Sequence, residues 1–331
     1  MNSQAVPHGR MHVLTPRSGA LLLGLLSLLP FFSSSDFTVT IAIQALCFMV
    51  LATGLNLIYG YTGLLSFAQV AFWGIGGYTS ALLAVDLGWS PWLALPAGGA
   101  LAALLSLVIG FAALRLSRHS FVIVTLSFAL LMQLFARDWV GLTRGPMGIP
   151  GLPALEITLP VIGRLSSAEP KVSYLFILVY TVLALGIVYR LVKSRIGRAL
   201  IAIKQNEPLA QSQGIDTLRY KLLAFAVSAA ISAIAGGFFA FHLSIVDPTI
   251  FNFYYTEMML IMVIVGGAGS FFGVLWASLF FSILPELLHI GAELRMMGLG
   301  AILILAILLF PSGLAGYFKE KQLEQWRKEF R

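Results

Sequence analysis

Charge is scarce in this chain. Asp, Glu, Lys and Arg make up 11% of its 331 residues, against about a quarter in a soluble domain. None of them falls near the middle of the apolar stretches that dominate the sequence; Asp138, Glu257 and Glu286 stand at the ends of such stretches. A carrier coupled to protons needs an ionisable relay at membrane depth. That gap weighs against such a carrier and leaves sodium coupling open. Cysteine is nearly missing too. Cys47 stands alone inside an apolar stretch, so no intrachain disulfide can form and the redox compartment cannot be read from it. His242 and His289 have no Cys or His at ligand spacing, so we expect no metal site and no cofactor. No Gly-Lys pair occurs anywhere, hence no Walker A loop to cradle ATP phosphates, and any ATP must be bound by another chain. Nor does a Ser–His–Asp order point to a hydrolase. The chain does not read as an enzyme.

What is present is hydrophobic. Apolar residues are 59% of the chain and the mean hydropathy is +0.91. A membrane span takes about 20 mostly apolar residues. Candidate spans lie at Ala20–Phe32, Thr38–Ile58, Leu64–Val85, Trp92–Leu114, Phe121–Ala136, Val172–Tyr189, Leu222–Leu243, Met258–Gly267, Phe271–Leu288 and Met296–Phe310. The first and the eighth are short. The expectation is an all-α polytopic membrane helix bundle of about ten spans. Ala20–Phe32 mimics a signal peptide, but although Ser33-Ser34-Ser35 is small and polar no convincing cleavage site precedes Asp36, so the stretch reads as a retained span. With the N-terminus in the cytoplasm, sixteen of the 21 Lys and Arg fall inside. This satisfies the positive-inside rule, and an even number of spans brings the C-terminus back inside. The net charge of +7 then reflects topology and anionic lipid rather than nucleic acid, because no basic folded domain carries it. Residues 18–315 form one membrane domain, flanked by a cytoplasmic segment 1–17 and a cytoplasmic tail 316–331. The tail alternates charge signs around Trp326, as a surface helix near headgroups does. The connection from Asp138 to Lys171 is rich in Gly and Pro and is expected to form an irregular but structured outer cap, with a plain connector as the alternative.

One polar stretch, Ser194 to Asp216, interrupts the apolar sequence. Its last third reads as a short helix with both ends marked. Asn206 or Glu207 can cap it, Pro208 suits the first helical position, and Gly214 permits a left-handed stop. Such a delimited helix is suited to be gripped by another protein; a simple surface helix at the bilayer edge is the alternative.

Ala202-Ile203, Asn206-Glu207, Ala210, Gly214-Ile215-Asp216 and Arg219-Tyr220-Lys221-Leu222 resemble the cytoplasmic loop of branched-chain amino-acid permeases, membrane subunits of a bacterial ABC importer. Two further matches, one far upstream and one downstream, fall in the expected order along the chain. The run from Gly54 to Gln69, with Gly74-Ile-Gly-Gly-Tyr78, resembles the early spans of the larger permease type, and Gly266-Gly-Ala-Gly-Ser270 through Pro285-Glu286 resembles a later region. The resemblance covers roughly residues 40 to 315. It implies that the loop 194–221 holds a coupling helix that docks on an ATPase, with Asn206, Glu207, Ala210 and Gly214 as the coupling positions; Pro208-Leu209 departs from the small residues of the general signature. It also implies a second related permease, two cytoplasmic ATP-binding subunits and a periplasmic solute-binding protein as partners, and an inner-membrane location.

At membrane depth the remaining polarity is uncharged. Gln44, Asn56, Gln69, Thr125, Ser127 and Gln133 are candidates to line a translocation path, with interhelical hydrogen bonding as the alternative for each. Gly74, Gly76 and Gly77, and Gly266, Gly267 and Gly269, either let helices pack closely or break a helix so that backbone faces a cavity. Gly63-Leu-Leu-Ser-Phe67 and Gly267-Ala-Gly-Ser-Phe271 hint at an internal repeat. A path without charge disfavours substrates of large net charge. A zwitterionic amino acid or neutral urea meets that limit. The resemblance favours leucine, isoleucine and valine, with urea or short amides second and a stand-alone carrier or channel as a more distant reading.

Overall fold

The computed structural model describes residues 36–159 and 163–288, with scattered positions between 297 and 316. The expected first span, the segment 1–17, about half of the tenth span and nearly all of the tail lie outside the described residues.

Helix α1, Asp36–Leu55, runs directly into a π-helical turn, Asn56–Gly60. Then come α2 Gln69–Val85, α3 Pro91–Ala113 and α4 Arg118–Asp138. After a long connection follow α5 Pro170–Lys193, α6 Arg195–Gln205, α7 Glu207–Ser212 and α8 Thr217–Leu243. Helices α9, Phe253–Gly266, and α10, Phe271–Leu288, complete the described bundle. Among the described residues, six helical stretches are long and apolar enough to cross a membrane: Asp36–Gly60, Pro91–Ala113, Arg118–Asp138, Pro170–Lys193, Thr217–Leu243 and Pro248–Gly266. The chain is a multi-pass membrane helix bundle.

The stretch expected as a span at Leu64–Val85 becomes helical only at Gln69. Gly63 adopts φ +77°, and the Ser66 hydroxyl accepts from the Ala68 N–H at 3.2 Å, a local turn that competes with helix. Helix α2 is therefore 17 residues long.

Helix α8 packs chiefly on α2 and α3, while α1 packs on α5, α10 and α8. Small residues bring the backbones together. A Cβ at Gly76 would lie 1.9 Å from the Ala233 carbonyl oxygen, and one at Gly236 would lie 2.0 Å from that of Trp73. Around this crossing Trp73 meets the rings of Phe239 and Tyr255.

The connection between α4 and α5 combines short strands with side-chain contacts. Strand β1, Ile149–Pro150, pairs antiparallel with β4, Ile245–Val246. Strands β2, Glu156–Leu159, and β3, Gly163–Ser166, pair antiparallel. These ribbons are the departure from an all-α chain among the described residues. The Trp92 indole donates to the Glu156 carbonyl at 2.9 Å, and Arg144 pairs with Asp86 at 2.7 Å. Pairing of β1 with β4 requires Gly148, where a Cβ would come within 2.2 Å of the Val246 carbonyl oxygen.

Candidate coupling loop and translocation path

The polar loop folds as three helices joined by tight corners. In α6 the residues Gly197, Ala199, Leu200 and Ile203 are buried while Arg195 and Arg198 point outward, the pattern of a helix lying against the bundle. Asn206 ends α6 in an extended conformation and starts α7, its side chain accepting from the Leu209 N–H at 3.1 Å. Pro208 is thus the second helical residue and Glu207 the first. With Asn206 as cap, Glu207 is free to pair with the Lys221 ammonium, whose side chain is 6% exposed. Helix α7 ends at Gln213 and Gly214, where φ is +80°, and the Ile215 N–H closes back on the Ala210 carbonyl at 3.1 Å. Asp216 then caps α8, accepting from the Arg219 N–H at 3.2 Å.

A six-residue helix has no stability of its own. Helix α7 is held by its Asn206 cap, by the buried Ala210, by the Glu207–Lys221 pair and by a Gln211–Thr217 hydrogen bond of 3.0 Å. Its other side presents Pro208, Leu209, Ser212 and Gln213 outward, with Leu209 58% exposed. A cleft of about 430 Å³ separates this loop from the α3–α4 turn, lined by Arg115, Arg118, Glu207, Gln211 and Lys221 among others. The basic turn and the loop therefore share one end of the bundle.

One residue at that end had no special signature in the sequence. Lys204, in the last turn of α6, donates its ammonium to the Gly60 carbonyl at 2.7 Å. It reads in sequence as one of many cations on one membrane side, and what sets it apart, a carbonyl 144 positions away in the chain, is tertiary.

The path candidates divide. Asn56 is buried and acts as a clamp: its Oδ1 accepts from the Gly269 N–H at 2.8 Å and its amide donates to the Ser270 carbonyl at 3.4 Å. Thr125 is buried on α4, accepting from the Phe67 N–H at 3.2 Å and donating to the Val122 carbonyl at 2.9 Å. Gln69 donates to Ser228, which donates to the Gly54 carbonyl at 2.7 Å. Gln44 and Gln133 are half-buried and Ser127 is exposed. At the crossing of α1, α2 and α8, a Cβ on Gly54 would lie 2.9 Å from the Gln69 amide nitrogen and 3.0 Å from the Ser232 hydroxyl. Here the buried Gln69 Oε1 and Ser232 Oγ have no hydrogen-bond partner, nor have Thr53 Oγ1 beside Gly54 and Trp73 Nε1 one turn along α2 from Gln69. Such a concentration is unusual, since buried polar atoms are nearly always paired.

The two glycine clusters differ. Gly74, Gly76 and Gly77 sit where a Cβ would meet Phe251, Ala233 and Ile250 at 2.1, 1.9 and 2.9 Å, so this cluster lets α2 approach its neighbours. In the second, Gly267 and Gly269 each have φ +95° and turn the chain between α9 and α10, while a Cβ on Gly266 would lie 2.7 Å from the Gly273 carbonyl oxygen.

Residues 37–307 match the family described as the permease component of branched-chain amino acid transport systems. The chain belongs to that family. This permease is 33% identical over 301 residues to the high-affinity branched-chain amino acid transport system permease protein LivM of Escherichia coli K12, an alignment covering 86% of this chain and 71% of the relative. It is 32% identical over 301 residues to LivM of Salmonella typhimurium, with the same coverage. Against LivH of Escherichia coli K12 the identity is 28% over 287 residues, covering 81% of this chain and 91% of the relative. The permease is therefore of the LivM type, the larger of the two. No solved structure gives a significant match.

Proposed function

We propose that this permease carries leucine, isoleucine and valine across the bacterial inner membrane as one subunit of an ABC importer. It would act with a related second permease, two cytoplasmic ATPases and a periplasmic binding protein. Family membership supplies the transport reading, and the observation that carries the coupling reading is α7. It is a short helix capped at both ends, pinned through Glu207 to a buried lysine, and turned so that Pro208, Leu209 and Ser212 face outward. ATP bound by the partners closes them, α7 follows, and the bundle switches the side to which its path opens. Asn206, Glu207, Ala210 and Gly214 are the coupling positions. In this reading the domain spans 18–315 in ten crossings, with both termini in the cytoplasm.

The path passes the α1–α2–α8 crossing. The unpartnered atoms there include an acceptor on Gln69, a donor on Trp73 and hydroxyls on Thr53 and Ser232. An ammonium needs the first kind and a carboxylate the second, so a zwitterion crossing this point finds both without meeting a fixed charge.

Reconstitution with the partner ATPases and binding proteins tests the substrate. ATP-dependent uptake of labelled leucine is expected; urea uptake with no leucine signal would overturn the substrate, and ATP-independent uptake by this chain alone would overturn the class. Gly214→Val forces a β-branched residue into a left-handed conformation, and Glu207→Lys sets two cations against each other at Lys221. Both variants should insert in the membrane yet lose uptake, with ATP hydrolysis no longer stimulated by loaded binding protein. Orientation is checked in a Cys47→Ala background. Cysteines at Ser212 and at Ala168, both exposed, should react oppositely with an impermeant thiol reagent in intact cells.

A further inference from the structure

Gly60 closes the π-helical turn at the end of α1. Carbonyls at a helix C-terminus lack intrahelical partners and attract cations, and the Gly60 carbonyl receives the Lys204 ammonium. The lysine is half-buried there, and burial holds its pKa below the usual lysine value. The contact is more than one bond. A Cβ on Gly63 would lie 3.2 Å from Lys204 Cγ, so the aliphatic stem covers the turn between α1 and α2. A Cβ on Gly269 would lie 2.9 Å from the Gly60 carbonyl oxygen and 3.7 Å from the ammonium, so the turn between α9 and α10 meets the same point. Asn56, one turn before Gly60, fixes the two turns to each other through Gly269 and Ser270. Each turn contains left-handed glycine, Gly63 in one and Gly267 and Gly269 in the other. Loop residues and residues at the ends of helices absorb the dihedral changes of hinge motions.

We propose that Lys204 is the positioning residue that transmits displacement of α7 to both helix pairs, α1–α2 and α9–α10. The proposal rests on the reading of residues 207–214 as the coupling element. Asn206 is the shared corner of α6 and α7, so a pull on α7 moves the last turn of α6 and Lys204 with it. The ammonium carries that motion to Gly60, and Asn56 passes it from Gly60 to Gly269. Among the described residues, no hydrogen bond joins either turn directly to α7. Sequence offers no hint of this arrangement because its three parts, near residues 60, 204 and 269, belong to three separate regions of the chain.

Lys204→Met keeps most of the stem over Gly63 and removes the donor. In the reconstituted full complex, basal ATP hydrolysis and subunit assembly should stay within about twofold of the unaltered protein, while leucine imported per ATP hydrolysed falls about tenfold, the scale expected for losing one charged hydrogen bond. Lys204→Arg, which can still donate to Gly60, should recover most of the coupling. Asn56→Ala should uncouple in the same way, and the double variant Lys204→Met/Asn56→Ala should be little worse than either alone, as for members of one chain of contacts. Unchanged transport per ATP in Lys204→Met would overturn the proposal. So would loss of assembly in Lys204→Met and Lys204→Gln alike, which would assign the lysine to the fold, and so would full additivity with Asn56→Ala. Gly214→Val separates the two levels: normal transport by that variant removes the coupling reading itself, whereas an uncoupled Gly214→Val beside a fully coupled Lys204→Met removes this proposal alone.

Discussion

In α1 and its π-helical extension, 89% of the membrane-crossing window lies inside the protein; in α4, 22% does. Both are long apolar helices, and a hydropathy profile treats them alike. What separates them is which surface receives their side chains. Helix α1 is surrounded by α5, α8, α9 and α10 and is buried almost continuously from Ala45 to Ile58. Helix α4 turns Ile123, Leu130, Leu131 and Leu134 outward, where a lipid chain or a partner subunit is the neighbour. Hydrophobicity drives a helix out of water but does not draw it to another helix within lipid, where packing and small residues decide. The core of this permease is accordingly marked by glycine, serine and alanine on α2 and α8, and its rim by leucine and isoleucine.

The largest effect should come from crowding the core. Gly76→Leu would drive a side chain into the Ala233 backbone, and we expect a cost beyond about 3 kcal/mol, above the usual range for point substitutions. Loss of monodisperse protein on size exclusion reads it, and normal elution would mean that α2 and α8 do not cross as described. At the rim, Leu130→Lys should reduce membrane insertion by about 2.5–3.5 kcal/mol if lipid covers this face, while Leu130→Ala leaves thermal stability nearly unchanged. Loss of a co-purifying permease in Leu130→Ala would instead show the face to be covered by protein. Within the core polar cluster, Gln69→Leu removes the bond to Ser228 and also an unpaired acceptor. The net stability change should be about 1 kcal/mol or less, with uptake falling further than stability does. The smallest effect is expected at Thr53→Val, which removes a buried hydroxyl without a partner and should be neutral or slightly stabilising in a thermal melt.

Much of this was legible from local chemistry. The ends of α7 follow from Asn206 and Gly214, because caps and left-handed stops are properties of single residues in short contexts. The membrane class follows from composition. The turn-formers of the Asp138–Lys171 connection left a structured cap and a plain connector both open, and the pairing of Ile149 with Val246 was not readable at all, since register across nearly a hundred residues has no local trace. Asn56 shows the limit from the other side. An amide in an apolar helix reads as a path residue or, more often, as an interhelical clamp, and the presence of Gly269 opposite it makes it a clamp here. Lys204 was invisible as an individual for the same reason. Helix α2 was expected to begin at Leu64, and hydropathy alone could not register that Gly63 and Ser66 spend the intervening residues on a turn.

That short helix has a consequence for how the protein is made. At about 1.5 Å per residue, the 17 residues of α2 reach about 25 Å, less than a hydrocarbon core of about 30 Å. The non-helical residues ahead of α2 are tolerable at depth only when enclosed by protein, and one of their amides, that of Phe67, depends on Thr125 of α4. The principal neighbour of α2, helix α8, begins only at Thr217. During synthesis α1 and α2 thus emerge long before the surfaces that bury them. The early hairpin must wait at the insertion machinery, or shelter against α3 and α4, until the second half of the chain arrives, so that the order of translation is itself a constraint on this fold.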